Sequence, residues 1–179
     1  RTNPPVKGRV VVVGGGNTAI DAARTSLRLG ADEVILLYRR TRKEMPANSI
    51  EIEAAEHEGV KMEFLAAPIR VNVDNNRMAS LTCIRMELGE PDSSGRRRPV
   101  EVKNSDYILK ADWVISAIGQ EPDLTGVDGN GGGIKVTKWK TIVAKDGTFN
   151  TDRPGVFSGG DVVTGPADAI DAIAAGRMA

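Results

Sequence analysis

The sequence predicts an α/β fold in which a parallel sheet has helices on one face and an antiparallel meander on the other. Short aliphatic runs at residues 9–13 and 33–38 alternate with helix-like segments, which is the pattern of a β-α-β unit. A glycine-rich turn joins the first run to the first helix. Between Ile69 and Leu109 the pattern changes to short alternating segments, typical of antiparallel strands. These three features predict a Rossmann-like three-layer (ββα) arrangement with the meander as a crossover.

The first β-α-β unit is expected between Arg9 and Tyr38. Arg9 to Val13 is a β-branched run that suits a strand buried on both faces, and Glu33 to Tyr38 is a second such strand. The helix between them ends where Gly30 permits a left-handed stop. Its apolar stripe is formed by Ile20, Ala23 and Leu27. The connection between the two strands should be right-handed.

A second helix is expected after Asn48, where Glu51 completes the spacing of a capping box, and Gly59 should end it. Val60 to Leu65 follows as a third strand, and Trp113 to Ile118 as another buried strand.

The loop Pro91 to Pro99 is the best candidate for disorder. Beyond Pro122 the chain becomes rich in glycine, and two weak strands are expected at residues 134–136 and 141–143. A final helix is predicted from Ala167 to Ala175.

The composition limits the classes of partner. Lysine and arginine number 24 and so do aspartate and glutamate, so neither a nucleic acid nor an anionic membrane is expected as a partner. One cysteine, Cys83, excludes an internal disulfide and a CxxC redox pair, and fits a reducing cytoplasm. With a single histidine, no metal site is expected. The chain begins at Arg1 and not at a methionine, which favours a piece of a longer polypeptide.

The turn Gly14-x-Gly16-x-x-Ala19 has the spacing of a dinucleotide-binding fingerprint in its alanine form. Gly14 allows a tight exit from the strand, Gly16 leaves space for a pyrophosphate, and Ala19 lets the helix pack closely on the strand. The backbone amides near Asn17 and Thr18 are expected to donate to phosphate oxygens, aided by the helix dipole. Gly15 completes the predicted cofactor-binding turn.

A basic segment follows the second strand, where an NAD site usually has an acidic residue. An arginine fork grips a 2′-phosphate that a carboxylate would repel. We therefore expect NADPH rather than NADH, with Arg39 and Arg40 as the phosphate clamp and Arg42 or Lys43 as helpers. Two alternatives remain open: a solvated basic loop, and an NADH-specific reductase in which the two arginines face solvent.

Several segments resemble the small (beta) subunit of NADPH-dependent glutamate synthase and its relatives. Those relatives include the NADPH-side domains of dihydropyrimidine dehydrogenase and of NADPH–ferredoxin oxidoreductases. The resemblance is carried by residues 12–21 (VVGGGNTAID), 38–47 (YRRTRKEMPA), 111–123 (ADWVISAIGQEPD) and 151–161 (TDRPGVFSGGD). It covers nearly the whole chain and implies an FAD/NAD(P)-binding fold.

The resemblance also implies roles for later residues. Ala117, Ile118 and Gly119 would close the NADPH domain beside the cofactor. Gly160 and Asp161 would belong to the second FAD motif, with the Asp161 carboxylate accepting a ribityl hydroxyl. Pro166 and Ala167 would set a helix amino terminus against the flavin. The expected organisation is a linker at 1–8, an NADPH-binding domain at 9–122 and the carboxyl-terminal portion of an FAD domain at 123–179.

The activity implied by the resemblance is hydride transfer from NADPH to FAD, with electrons passing on through iron–sulfur clusters outside this chain. The expected partners are the rest of the FAD domain and a large catalytic subunit, that of glutamate synthase above all. No catalytic side chain is nominated, because hydride transfer depends on positioning. An earlier FAD-binding glycine motif and clustered cysteines are missing from this sequence, so the isolated chain is expected to be inactive. The alternatives are a ferredoxin-linked or dihydropyrimidine-dehydrogenase-like oxidoreductase and a non-catalytic NADP(H)-binding module.

Overall fold

A computed structural model describes residues 5–92, 95–127 and 133–179. They form two compact units, Arg1–Gly119 and Gln120–Ala179. In chain order the first unit contains β1 (Arg9–Val13), α1 (Asn17–Arg28), β2 (Glu33–Tyr38), a 3₁₀ turn (Arg42–Glu44), α2 (Ser49–His57), β3 (Lys61–Phe64), β4 (Ala66–Asp74), β5 (Arg77–Pro91), β6 (Arg97–Glu101), β7 (Tyr107–Lys110) and β8 (Trp113–Ser116).

The parallel sheet of the first unit has the strand order β3-β2-β1-β8. All three pairings are parallel, with Val12 of the central strand β1 opposite Leu36 on one side and Ile115 on the other. Val10, Val11 and Val12 have no exposed surface, as expected of a strand covered on both faces. The predicted α/β architecture is therefore confirmed.

One face of this sheet packs against α1 and α2. Val10, Val12 and Leu36 point to that side and meet Ile20 and Ala23 of α1. The remaining part of this core is supplied by α2 and by the segment that precedes it: Met45, Ala47, Ile52 and Ala55. Arg24 and Arg28 of α1 pair with Glu58 after α2, and Arg24 also pairs with Glu51.

The other face packs against an antiparallel sheet. Strands β4, β5 and β6 are hydrogen-bonded in that order, and β7 pairs with β5. Val11, Ile35 and Leu37 of the parallel sheet meet Leu81 and Cys83 of β5 in a second core. The alternation of β1 residues between the two cores is the period of two that a strand imposes. This sheet is the meander predicted between Ile69 and Leu109.

Four details differ from the sequence-based expectation. Strand β8, expected as a buried strand, lies at the edge of the sheet, and its Trp113 and Val114 side chains are exposed. Strand β5 continues to Pro91 and pairs with β6 from Arg97, so a hairpin occupies most of the segment expected as a loop; Ser93 and Ser94, at the centre of the predicted disorder, lie outside the described residues. The 3₁₀ turn was not predicted. Asn48 does cap α2 by accepting from the Ile50 amide, but Glu51 pairs with Arg24 instead of completing a capping box.

The segment expected as an amino-terminal linker is attached to the first unit over its described part. Val6 donates its amide to Leu29 O (3.2 Å), and Gly8 donates to the Asp32 carboxylate (2.8 Å). The Trp113 indole donates to Lys7 O (2.9 Å).

The second unit contains α3 (Asp161–Thr164) and α4 (Ala169–Met178). The two weak strands expected there are reduced to one antiparallel bridge between Val136 and Ile142. Gly159 and Gly160 pack closely against α4. A Cβ on Gly159 would lie 2.7 Å from Ala175 Cβ, and a Cβ on Gly160 would lie 3.1 Å from Ala172 Cβ. Across the described ranges, no helix of either unit is long and apolar enough to cross a lipid bilayer.

Candidate functional site

The site candidates of the first unit gather at the carboxyl edge of its parallel sheet. Because parallel strands end at the same edge, the segments after β1, β2 and β8 leave the sheet side by side. These segments are Gly14 to Gly16, Arg39 to Lys43 and Ala117 to Gly119. The structure therefore brings together most of the residues that the sequence nominated. Those of the second unit lie in a separate compact body.

The glycines of the turn are required for different reasons. Gly14 has φ +146°, and a Cβ there would lie 2.3 Å from Ala117 O. A Cβ on Gly15 would lie 2.5 Å from the Tyr38 ring. A Cβ on Gly16 would meet only Pro46 Cγ, at an ordinary 3.9 Å, and φ at this residue is −91°. The fold therefore accounts for Gly14 and Gly15, whereas Gly16 leaves open space at the start of α1.

That open space faces the first amides of α1. The helix begins at Asn17, and Ala19 and Ile20 donate their amides to Gly16 O. The amides of Asn17 and Thr18 have no acceptor in the described part of the chain. Both residues are exposed, while Ala19 is fully buried against the sheet. Unpaired amides at the positive end of a 12-residue helix, beside a position without a side chain, can bind an anion.

The glycine turn is tied to the basic segment by two hydrogen bonds. Ala47 donates its amide to Gly15 O (3.2 Å), and Asn48 donates to the Asn17 side-chain oxygen (2.9 Å). Asn17 was predicted as a cofactor residue for its amide. The bond from its side chain to Asn48 was not predicted, because it spans 31 residues and no local pattern indicates it.

Arg40 does not face the same space as its neighbour Arg39. Only 6% of Arg40 is exposed. Its Nε donates to Arg97 O (2.7 Å) and its Nη2 to Asp92 Oδ2 (2.8 Å), so two of its donors are used within the fold. The predicted clamp of Arg39 and Arg40 is therefore not present as a pair in this structure.

The other three cations of the basic segment are exposed. Arg42 pairs with Glu56, and more distantly with Glu53 (4.0 Å), on α2. Arg39 and Lys43 make no hydrogen bond or ion pair with any residue that the structure describes. Two cations thus remain available to an anion at the end of β2.

Glu44 fixes the backbone that presents these cations. The Thr41 amide and hydroxyl both donate to Glu44 Oε2, at 3.1 and 2.5 Å, forming a capping box around the 3₁₀ turn. The buried Tyr38 hydroxyl donates to Glu44 O (2.8 Å). The Thr41 hydroxyl, which donates to the carboxylate, is the main cause that lowers the pKa of Glu44 below its usual value.

Ala117, Ile118 and Gly119 form the part of the edge that follows β8. Ala117 donates its amide to Val13 O (2.8 Å), so the two strand ends remain together. Ile118 is 75% exposed, and Gly119 has φ +104° with no atom within 4 Å of a Cβ at that position. The fold leaves the Ile118 side chain uncovered at the end of β8.

In the second unit, Asp161 lies at the start of α3 and accepts the Ala167 amide on Oδ1 (3.2 Å). Its other carboxylate oxygen has no partner among residues 133–179, so it can accept a hydroxyl. Pro166 and Ala167 are exposed. Gly160 has φ +73° and lies against α4, which explains this glycine without a ligand.

Comparisons with known proteins agree with this arrangement. The family model described as pyridine nucleotide-disulphide oxidoreductase matches residues 2–176. The chain is 50% identical to NADPH-Fe(3+) oxidoreductase subunit beta of Geobacter sulfurreducens, covering 88% of this chain and 26% of that protein. It is 48% identical to NADP(+)-dependent formate dehydrogenase subunit beta of Moorella thermoacetica, covering 98% and 25%.

The glutamate synthase [NADPH] small chain of Escherichia coli is 39% identical, covering 96% of this chain and 37% of that protein. The chain thus spans about a quarter to two fifths of the length of these relatives. Among solved structures, thioredoxin reductase from T. acidophilum superimposes with a TM-score of 0.74 at 18% identity, covering 97% of this chain and 55% of that one. The resemblance expected from the sequence is confirmed.

Proposed function

Because the chain belongs to the pyridine nucleotide-disulphide oxidoreductase family, we propose that its first unit binds NADPH at the carboxyl edge of the parallel sheet. One observation carries the proposal. The open position at Gly16 and the unpaired amides of Asn17 and Thr18 lie on the same edge as the unpaired cations Arg39 and Lys43. This donor set fits a pyrophosphate and a separate 2′-phosphate.

Each part of the site has a distinct task in this proposal. The α1 amides donate to the pyrophosphate, and Gly16 lets the backbone approach it. Arg39 and Lys43 neutralise the 2′-phosphate, with Arg42 held nearby by Glu56. Arg40, first expected as a ligand, instead connects the basic segment to the hairpin of β5 and β6 through Arg97 O and Asp92. The segment Ala117 to Gly119 follows β8 and lines the same sheet edge beside the glycine turn.

NADPH, when bound, supplies a hydride. The chain's own residues bind and orient the dinucleotide, and none of them is assigned to proton transfer. We propose that the second unit is the carboxyl-terminal portion of an FAD domain, in which the unpaired Asp161 oxygen accepts a hydroxyl of the flavin's ribityl chain. The longer polypeptide should then be yellow when purified.

The relatives limit the choice of acceptor. The names of those at 50% and 48% identity refer to iron(III) reduction and formate oxidation, whereas the Escherichia coli glutamate synthase small chain is at 39%. We therefore propose an electron-transfer subunit of an NADPH-dependent oxidoreductase that feeds a larger catalytic subunit through iron–sulfur clusters. Glutamate synthase remains the second candidate.

A calorimetric titration with NADP⁺ and NAD⁺ at fixed salt tests the nucleotide assignment. We expect NADP⁺ to bind more tightly than NAD⁺. Arg39→Ala should reduce the ratio of the two affinities about tenfold, which corresponds to one charge-assisted hydrogen bond. Lys103→Ala removes one cation from an exposed turn remote in sequence and serves as the control. A folded chain that binds neither nucleotide, or binds both equally, would contradict the proposal.

A further inference from the structure

Arg40 joins the basic segment to the hairpin of β5 and β6. Its guanidinium reaches Asp92, just after β5, and the carbonyl oxygen of Arg97 on β6. Its own carbonyl oxygen accepts the Leu65 amide (3.1 Å). Residue 40 is thus fixed through both its backbone and its side chain, one peptide bond away from the unpaired Arg39.

The end of the hairpin is itself held by several hydrogen bonds. Asp92 donates its amide to Arg96 O (2.7 Å). The Arg97 guanidinium donates to Gly89 O (3.0 Å) and to Leu88 O (2.5 Å). The described residues of the two hairpin strands therefore offer Arg40 two defined acceptors, at Asp92 and Arg97.

We propose that Arg40 and Asp92 form a positioning pair that sets the preference for 2′-phosphorylated dinucleotides. The inference rests on the proposed function. The 3₁₀ turn that follows Arg40 is fixed by the Tyr38 hydroxyl and by the Glu44 capping box. The hairpin of β5 and β6 fixes the start of the basic segment through its hydrogen bonds with Arg40. Arg39 lies between Tyr38 and Arg40 in the chain, so its backbone is held on both sides and its exposed side chain leaves the sheet edge from one place.

The sign of the effect separates this role from simple electrostatics. Asp92 is a carboxylate near a proposed phosphate site, so by charge alone its removal should strengthen NADP⁺ binding. The same increase is expected if Asp92 only holds Arg40 away from the phosphate. A positioning pair predicts the opposite, because a released Arg40 loosens the placement of Arg39.

The test compares Asp92→Ala, Asp92→Asn and Glu90→Ala in the full 179-residue chain, by titration with NADP⁺ and NAD⁺. Glu90 is an exposed carboxylate at the end of the same strand and serves as the charge control. We expect Asp92→Ala to weaken NADP⁺ binding about tenfold and to leave NAD⁺ within about twofold. Asp92→Asn keeps an acceptor for Arg40 and should show a smaller loss in the same direction. Glu90→Ala should not weaken NADP⁺ binding.

A second arm tests whether the effect passes through Arg39. In an Arg39→Ala background, Asp92→Ala should cost much less NADP⁺ affinity than it does in the wild type, because the cation that it positions is absent. Tighter NADP⁺ binding on loss of Asp92, equal losses for both nucleotides, or full additivity with Arg39→Ala would each overturn the inference.

The proposed function and this inference can fail separately. If the wild-type chain shows no preference for NADP⁺, the proposed function fails, whatever the variants do. If the wild type prefers NADP⁺ and Asp92→Ala binds it as tightly as Glu90→Ala does, only the positioning role fails. If Asp92→Ala does not fold, as judged by circular dichroism, Asp92→Ser, whose shorter side chain withdraws the acceptor from Arg40, takes its place in the comparison with Glu90→Ala.

Discussion

The carbonyl oxygen of Ala117 lies against Gly14, 2.3 Å from the place that a Cβ atom of residue 14 would occupy. This contact joins the end of β1 to the end of β8, beside the hydrogen bond from the Ala117 amide to Val13 O. The first glycine of the fingerprint is therefore required by the contact between two strand ends. Gly16, two residues later, has no such neighbour.

Gly14→Ala should destabilise the first unit by about 2 kcal/mol or more, because the new methyl group clashes with backbone and the φ of +146° is strained for alanine. Urea unfolding followed by circular dichroism measures the loss. A change in unfolding free energy below about 0.5 kcal/mol would show that the two strand ends separate easily.

Gly16→Ala should leave the unfolding free energy within about 0.5 kcal/mol of the wild type, because its methyl group meets only Pro46 Cγ at 3.9 Å. The same methyl group occupies the proposed pyrophosphate space, so NADP⁺ affinity should fall about tenfold or more. Calorimetry on the two glycine variants gives the comparison. Unchanged affinity in Gly16→Ala would mean that the pyrophosphate does not lie over this residue.

The sequence predicted those parts of the fold and site that depend on local patterns. The β-branched run of strand β1, the glycine at 14 and the cap at Asn48 are each encoded within a few residues. The 3₁₀ turn was missed because the segment from Thr41 to Glu44 is only four residues long and polar, so it has no apolar period.

The role of Arg40 could not be predicted, since its partner Asp92 lies 52 residues along the chain. Two adjacent arginines look equivalent in a sequence, but after β2 ends at Tyr38 the Arg39 side chain is exposed to solvent, whereas the Arg40 side chain is buried against the hairpin. Side-chain direction at the end of a strand depends on tertiary packing, which no local motif records. The same limit applies to the bond between Asn17 and Asn48.

Thr41→Val should return the pKa of Glu44 towards its ordinary value, because the hydroxyl that stabilises the carboxylate is lost. A depressed carboxyl pKa contributes stability above the ordinary value of 4.5, and this stability is lost as the pH falls through the lower folded pKa. The acid limb of the wild-type stability curve should therefore be steeper than that of Glu44→Gln. Carboxyl NMR titration of the wild type and of Thr41→Val measures the Glu44 pKa directly, and an unshifted Glu44 pKa in the wild type would contradict the capping box.

Tyr107→Phe should destabilise the first unit by about 1.5–3 kcal/mol, the usual range for a hydrogen bond to a charged group. The Tyr107 hydroxyl donates to Glu63 Oε1 (2.7 Å) and thereby connects β7 to β3 in the other sheet. Phenylalanine keeps the ring under the Arg85 guanidinium, 4.2 Å from the centroid, so the loss reports the hydroxyl alone. In a double-mutant cycle with Glu63→Gln the two losses should not add. Full additivity would show that the two groups do not interact in solution.

Cys83 should be inert to alkylation in the folded chain and reactive in the unfolded one. Its side chain is fully buried between the sheets, and burial raises the pKa of the thiol from 9.0 to about 11. At pH 8 about one thiol in a thousand would be ionised in the folded state, against about one in ten when unfolded. Iodoacetamide labelling followed by mass spectrometry, with and without urea, measures both rates on the single cysteine.

The same shift makes stability depend on alkaline pH. A thiol whose pKa is raised by folding contributes stability below its ordinary value of 9.0, and this contribution is lost as the pH rises towards 11. Between these values one such proton gives a slope of about 1.4 kcal/mol per pH unit. Tyr107, whose pKa is also raised by burial, adds to the effect at higher pH. Cys83→Ala should flatten the unfolding free energy between pH 9 and 11, whereas an equal slope in both proteins would mean that the thiol ionises without opening the core.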